Sequence, residues 1–131
     1  ILRDIKEDSK NGRVYLPIED LDKFDYTTED LRQEIFDERF RKLMRFQTER
    51  ARDYYSTARN LIPLVDEESR PALWAMTAIY ETILDTIVQR DFNVFRDRVR
   101  LSGRRKMSIL LKAFAMRLKG KTGFSKNNDR A

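Results

Sequence analysis

Asp4 and Asp8 are the first side chains in this 131-residue sequence whose type and spacing suggest chemistry. Four residues apart on a helix, they share one face, a turn from each other. Two carboxylates so placed repel unless a cation lies between them. Magnesium suits the position, because it prefers hard oxygen ligands and usually shares them with a substrate phosphate. Arg3 and Arg13 flank the pair, and a guanidinium can offer parallel N–H donors to phosphate oxygens. The segment Ile1–Tyr15 therefore reads as one half of a clamp for magnesium and a diphosphate.

Spacing alone is weak support. Acidic residues also fall four apart at Asp25/Glu29, Asp30/Glu34, Glu34/Glu38, Glu49/Asp53 and Glu81/Asp85, in a chain that is 37% charged. Such pairs arise by chance on solvated helix faces. The string Asn11-Gly12-Arg13-Val14-Tyr15-Leu16-Pro17, just beyond the pair, is more specific.

The elements that must position these residues are helical. Asn11-Gly12 marks a turn after a first helix, and Pro17 can open a short helix through Ile18, Leu21 and Phe24. Thr27 or Thr28 can cap another, with Asp30 in its first turn. Apolar or aromatic residues then recur at Phe36, Phe40, Leu43, Ala51, Tyr54, Ala58, Leu61 and Val65. That three-and-four rhythm, broken once at Gln47, predicts a long helix stopped near Pro63. Gln47 on this stripe either faces a cavity or bonds a neighbouring helix. Ser69 and Pro71 start the next helix, whose run 72–80 is apolar almost all round and belongs inside a bundle. Asp91-Phe92-Asn93 reads as a turn, and a last helix spans about 104–119. The tail 120–131 is polar and is expected to be disordered. No alternating strand pattern of useful length occurs, so the fold class is all-α. The Asn11–Leu16 link is expected to be its only extended stretch.

Composition removes several chemistries. The chain has no cysteine and no histidine, so a disulfide framework, thiolate zinc, an imidazole base and Ser/His or Cys/His catalysis are all excluded within it. No apolar run approaches a membrane span. Charge is uneven: residues 1–99 hold 17 basic and 21 acidic residues, whereas residues 100–131 hold 10 basic and one acidic. In the last helix Met107, Leu110, Leu111, Phe114 and Leu118 form an apolar stripe among Arg104, Arg105, Lys106, Lys112, Arg117 and Lys119. Packing in the bundle is the first reading of that stripe. The second is peripheral contact of 104–119 with an anionic membrane. A non-catalytic basic module binding nucleic acid is a competing class at pI 9.6, but no helix-turn-helix or zinc spacing supports it. No nucleic-acid partner is expected.

Several motifs occur in an order that resembles one family. Arg3-Asp4-x-x-x-Asp8 followed by Asn11 to Pro17 is similar to the second aspartate-rich motif of the squalene and phytoene synthases. Phe46-Gln47-x-x-Arg50-Ala51-Arg52-x-Tyr54-Tyr55-x-x-Ala58 resembles the family's next helix. Ile79-Tyr80-x-x-Ile83-Leu84-Asp85, then Phe95-Arg96-Asp97-Arg98-Val99-Arg100-Leu101, resembles its C-terminal helices. The resemblance covers about residues 1–119.

This resemblance implies an antiparallel helix bundle of the isoprenoid synthase type and Mg2+-dependent head-to-head coupling of two prenyl diphosphates. Asp4 and Asp8 would hold the metal. Arg3, Arg13, Tyr80 and Arg98 would contact diphosphate, and Gln47 and Tyr15 would face the cavity. Aromatic faces at Phe46, Tyr54, Tyr55 and Trp74 are available to a carbocation, although core packing is the simpler role for each. An earlier aspartate-rich motif on a facing helix is absent, so the chain reads as a C-terminal portion that needs the missing N-terminal half and is inactive alone. Two C15 units would give presqualene diphosphate or squalene, and squalene also requires NADPH. Two C20 units would give phytoene. The residues do not separate these outcomes, and a slight preference falls on the C15 reaction. The expected location is cytoplasmic.

Overall fold

The computed structural model describes residues 1–124, with side chains through Leu118. Its order is α1 Ile5–Lys10, α2 Ile18–Lys23, α3 Thr28–Arg32, α4 Glu38–Leu61, a 3-10 turn Ile62–Leu64, α5 Arg70–Gln89 and α6 Gly103–Phe124. No strand occurs among the described residues.

The chain forms two compact units. One comprises Ile1–Asp53 and Thr82–Arg100, the other Tyr54–Glu81 and the segment from Leu101 onward. In the first unit the core is aromatic. Phe40 on α4 is fully buried, and its ring lies 5.4 Å from Tyr26, 6.0 Å from Phe36 and 4.6 Å from Phe95. Leu21, Leu31, Leu43, Met44, Ile87, Val94 and Val99 complete the core. Buried Tyr26 satisfies its hydroxyl by donating to the Ile35 carbonyl at 2.6 Å.

Short helices need firm ends, and α1, α2 and α3 finish in the same way as the longer α5. At Gly12, Asp25, Glu34 and Asp91 the backbone enters the left-handed region, with φ of 68°, 53°, 55° and 51°. After α1, the Gly12 N–H bonds Ser9 O at 3.0 Å and the Arg13 N–H bonds Asp8 O at 2.9 Å. This crossed pair satisfies carbonyls that the helix leaves open. Tyr26 N–H to Leu21 O, Ile35 N–H to Asp30 O and Phe92 N–H to Ile87 O repeat the outer bond after α2, α3 and α5. Glycine suits such a position, and Asn11-Gly12 announces it. The other three use an acidic residue that carries no such signal.

Helix starts follow the sequence. Thr27 and Asp30 form a reciprocal capping box on α3, and the Asp37 carboxylate accepts the Phe40 N–H at 3.1 Å to open α4. Pro63 sits in the 3-10 turn that ends α4.

Three expectations need correction. Phe95–Leu101 is not helical: Val94, Phe95 and Val99 are buried as anchors of an irregular stretch, whose turn is held by the Arg96 N–H on Asn93 Oδ1 at 3.1 Å. The last helix runs past Gly120 to Phe124, and residues 125–131 lie outside the described residues. Finally, the stripe of α6 is not its packing face. In the second unit Ile109 and Ala113 pack on Ala75, with Trp74, Ala78 and Ile79 against them. Met107, Leu110, Leu111, Phe114 and Leu118 stay between 50% and 61% exposed.

Candidate functional site

Asp4 stands at the N-cap of α1, and Asp8 lies one turn on. The Asp8 N–H donates to the Asp4 carbonyl at 2.8 Å, so the two aspartates are in helical register as their spacing required. Their environments differ. Asp4 is closed on both oxygens: Arg3 Nε donates to Oδ1 at 3.0 Å and Arg3 NH2 to Oδ2 at 3.1 Å. Arg98, 94 residues away, adds its Nε to Oδ1 at 2.9 Å. The Arg3 hydrogen bonds hold the Asp4 carboxyl below its ordinary range against the opposing effect of burial, and Arg98 pulls the same way. Asp8 is half-buried and forms no ion pair among the described residues.

The C-terminal closing of α1 places Arg13. Because its N–H is bonded to Asp8 O, Arg13 returns beside the carboxylate turn. Asp8, Arg13 and Tyr15 line one cleft with Ile1, Ile5, Ser9, Val14, Leu16 and Leu31. Its free space is about 10 Å³, room for roughly one water. This notch is lined mostly by apolar residues and is too small for a diphosphate or an isoprenoid chain. Ser9 Oγ, in a residue 6% exposed, lacks a hydrogen-bond partner there.

Two residues that sequence reasoning missed brace α1. Lys6 Nζ donates to the Phe95 carbonyl at 2.5 Å and pairs with Glu34 at 3.0 Å. Glu34 also takes Lys10 at 3.3 Å. Lys6 thus ties the helix of Asp4 and Asp8 both to the end of α3 and to the segment carrying Arg98. No local pattern signals this, since the partners are distant in sequence.

The remaining expected site residues are placed elsewhere. Of its two possible roles Gln47 takes the neighbouring-helix bond: its Nε2 donates to Asp20 Oδ2 at 2.7 Å, and the residue is 7% exposed. Arg50 grips the same carboxylate at 2.6 and 3.1 Å, which ties α2 to α4. Lys23 lies 4.0 Å and Arg50 4.6 Å from the centre of the Phe46 ring, so cations of the chain itself occupy that aromatic face. Tyr80 belongs to the second unit, exposed on the α5 face that also carries exposed Met76. Burial first, then Tyr80 and Glu81, push the neighbouring Tyr55 hydroxyl above its ordinary range.

Two carboxylates in register with flanking guanidiniums suit magnesium, which typically takes one or two protein carboxylates and fills its shell with water and substrate phosphate. No larger cluster of metal-ligating side chains exists among the described residues. The donor set therefore fits a metal that arrives with its own oxygen ligands.

Comparison with known proteins decides the family. The squalene/phytoene synthase family profile matches residues 1–105. The chain belongs to the squalene/phytoene synthase family. It is 42% identical over 110 residues to the 15-cis-phytoene synthase of Synechococcus elongatus, covering 84% of this chain and 36% of that protein. The phytoene synthase of Arthrospira platensis gives the same identity and coverage. Phytoene synthase 1, chloroplastic, of Zea mays is 33% identical over 118 residues, 90% of this chain and 29% of the relative. The chain spans about a third of the length of the cyanobacterial relatives. The all-helical structure agrees with the family's isoprenoid-synthase fold. Among the described residues no helix is long and apolar enough to cross a membrane.

Proposed function

We propose that residues 1–119 form the C-terminal part of a head-to-head prenyltransferase domain, which couples two C20 prenyl diphosphates to phytoene. The observation that carries this reading is the meeting of Arg98 with Asp4 one turn from Asp8, in a chain whose named relatives are phytoene synthases. Those names move the substrate choice from C15 to C20, a reaction that needs no NADPH.

In such a coupling the diphosphate leaves an allylic carbon with both electrons of the C–O bond. Magnesium, when bound, offsets the charge that builds on the leaving group. Asp4 and Asp8 would hold it from the α1 face. Arg3, Arg13 and Arg98 supply positive charge for the same anion, and such charge is most effective where water is excluded. Lys6, through Glu34 and the Phe95 carbonyl, keeps the α1 face and the Arg98 segment in register. Tyr80 is assigned a diphosphate contact and Tyr15 a place at the cavity on family resemblance. Both would act once the facing helix is present. The chain alone offers one side of the clamp and is proposed not to catalyse. Asp4→Asn or Asp8→Asn in a complete enzyme should lower turnover by about 10²–10³-fold with the circular dichroism spectrum unchanged. Near-normal turnover in both variants would overturn the metal assignment.

The exposed stripe of α6 favours a second element of function, peripheral attachment to an anionic membrane. Arg104, Lys106, Lys112 and Arg117 flank the stripe, and no acidic residue lies between Gly103 and Phe124. The domain would then sit where long-chain substrates partition. Cosedimentation with phosphatidylglycerol vesicles, abolished by Leu110→Asp/Phe114→Asp, would support attachment. Equal binding by that variant would refute it.

A further inference from the structure

We infer that Arg98 is an exchangeable counter-ion of Asp4, which a divalent cation displaces and which then turns to the phosphate that the cation carries. This deepens the function proposed above and rests on it. A cation at Asp4 must compete for Oδ1, which already accepts from both Arg3, at 3.0 Å, and Arg98, at 2.9 Å, while Oδ2 accepts from Arg3 alone, at 3.1 Å. Asp8, one turn away, has no ion pair among the described residues. The two carboxylates are therefore unequal, one open and one guarded.

Of the two guards, Arg98 is the one built to move. Arg3 is adjacent to Asp4 in sequence and grips it with two nitrogens. Arg98 reaches it through Nε, is 45% exposed, and has a second acidic neighbour, Glu7, at 3.7 Å from its NH1. Its backbone does not need to shift. Buried Val99 and Phe95 anchor the segment, and Lys6 holds the Phe95 carbonyl. The exchange is thus a side-chain rotation over a fixed base. A cation reaching Asp4 must compete with a guanidinium, and the competition eases when an anion accepts the displaced group. Cation and diphosphate then assist each other's binding by the same factor, as linkage requires.

Binding of Mn2+, as a paramagnetic stand-in for Mg2+, to the full chain tests this without turnover. Electron paramagnetic resonance titrations would compare Mn2+ alone with preformed Mn2+–pyrophosphate, on the wild type and on Arg98→Gln. The variant should bind Mn2+ alone about tenfold more tightly, the size of one charge-assisted hydrogen bond at a half-exposed site. It should bind Mn2+–pyrophosphate more weakly than the wild type. Arg98→Lys, which keeps the charge and loses the fork, should show a smaller gain for the bare ion and guards against a folding defect in Arg98→Gln. Equal affinity of wild type and both variants for Mn2+ alone, with Mn2+–pyrophosphate still bound, would overturn the exchange and leave the diphosphate site standing. Failure of the wild type to bind Mn2+–pyrophosphate would remove the site and the exchange together.

Discussion

Asp20→Ala should cost about 2–4 kcal/mol of folding stability. Asp20 is 7% exposed and accepts three hydrogen bonds, one from Gln47 and two from Arg50. Alanine removes them all, but the two donors do not suffer equally. The Arg50 side chain is 39% exposed and can rehydrate, so its share is near that of a surface pair, about 1 kcal/mol at most. Gln47 is 7% exposed and is left with a buried, unpaired amide, worth about 1–3 kcal/mol. If that orphan is the main cost, Asp20→Ala/Gln47→Leu should recover about 1 kcal/mol relative to Asp20→Ala. Urea unfolding followed by circular dichroism measures both, with an unchanged m-value as the check on two-state behaviour. The pH dependence has a definite sign. Arg50 first, then Gln47, hold the Asp20 carboxyl below its ordinary 3.8 against the cost of burial. This stabilisation is complete above that ordinary value and is lost as pH falls through the lowered one. The wild type and Asp20→Asn should accordingly converge in strongly acidic solution. A loss under about 0.5 kcal/mol for Asp20→Ala, or no recovery in the double variant, would refute the reasoning.

Other perturbations test separate parts of the account. Ser9→Ala should leave stability unchanged or raise it by up to about 1 kcal/mol, because it deletes a buried hydroxyl without a partner; a clear loss in thermal unfolding would mean that the hydroxyl is satisfied. Asp25→Gly relieves a left-handed backbone, φ 53°, and should stabilise by about 0.5–1 kcal/mol after the entropy cost of glycine is set against it, read by the same urea midpoints. Burial first, then the nearby Asp30 and Asp37, push the Tyr26 hydroxyl well above its ordinary 10.0. Stability should therefore be retained below pH 10 and fall above it, and Tyr26→Phe should show less of that alkaline loss.

What could be read from the sequence was local. The start of α3 at Thr27, the stop of α4 at Pro63 and the turn at Asn11-Gly12 all have residue types whose backbone preferences decide the matter. Asp25, Glu34 and Asp91 occupy the same left-handed position as Gly12, yet acidic residues do not announce it. The stretch 95–101 contains no glycine or proline and resembles a helix of the family. Its irregular course is set by burial of Val94, Phe95 and Val99 and by Lys6 on the Phe95 carbonyl, contacts with no sequence period. Periodicity found the stripe of α6 correctly but not its use, since Ile109 and Ala113 lie off the stripe and take the packing. The Asp4/Asp8 turn followed from spacing. Family resemblance gave Arg98 a diphosphate contact, but that it would pair with Asp4, and that Lys6 and Glu34 would brace the turn, came from neither.

The measurement closest to the central claim is product formation by a chimera in which this chain replaces the matching segment of the Synechococcus elongatus 15-cis-phytoene synthase. Supplied with geranylgeranyl diphosphate and Mg2+, without NADPH, the folded chimera should make phytoene, and Asp8→Asn should abolish it. A folded chimera that makes no phytoene, or one whose activity survives loss of the Asp8 carboxylate, would contradict the account.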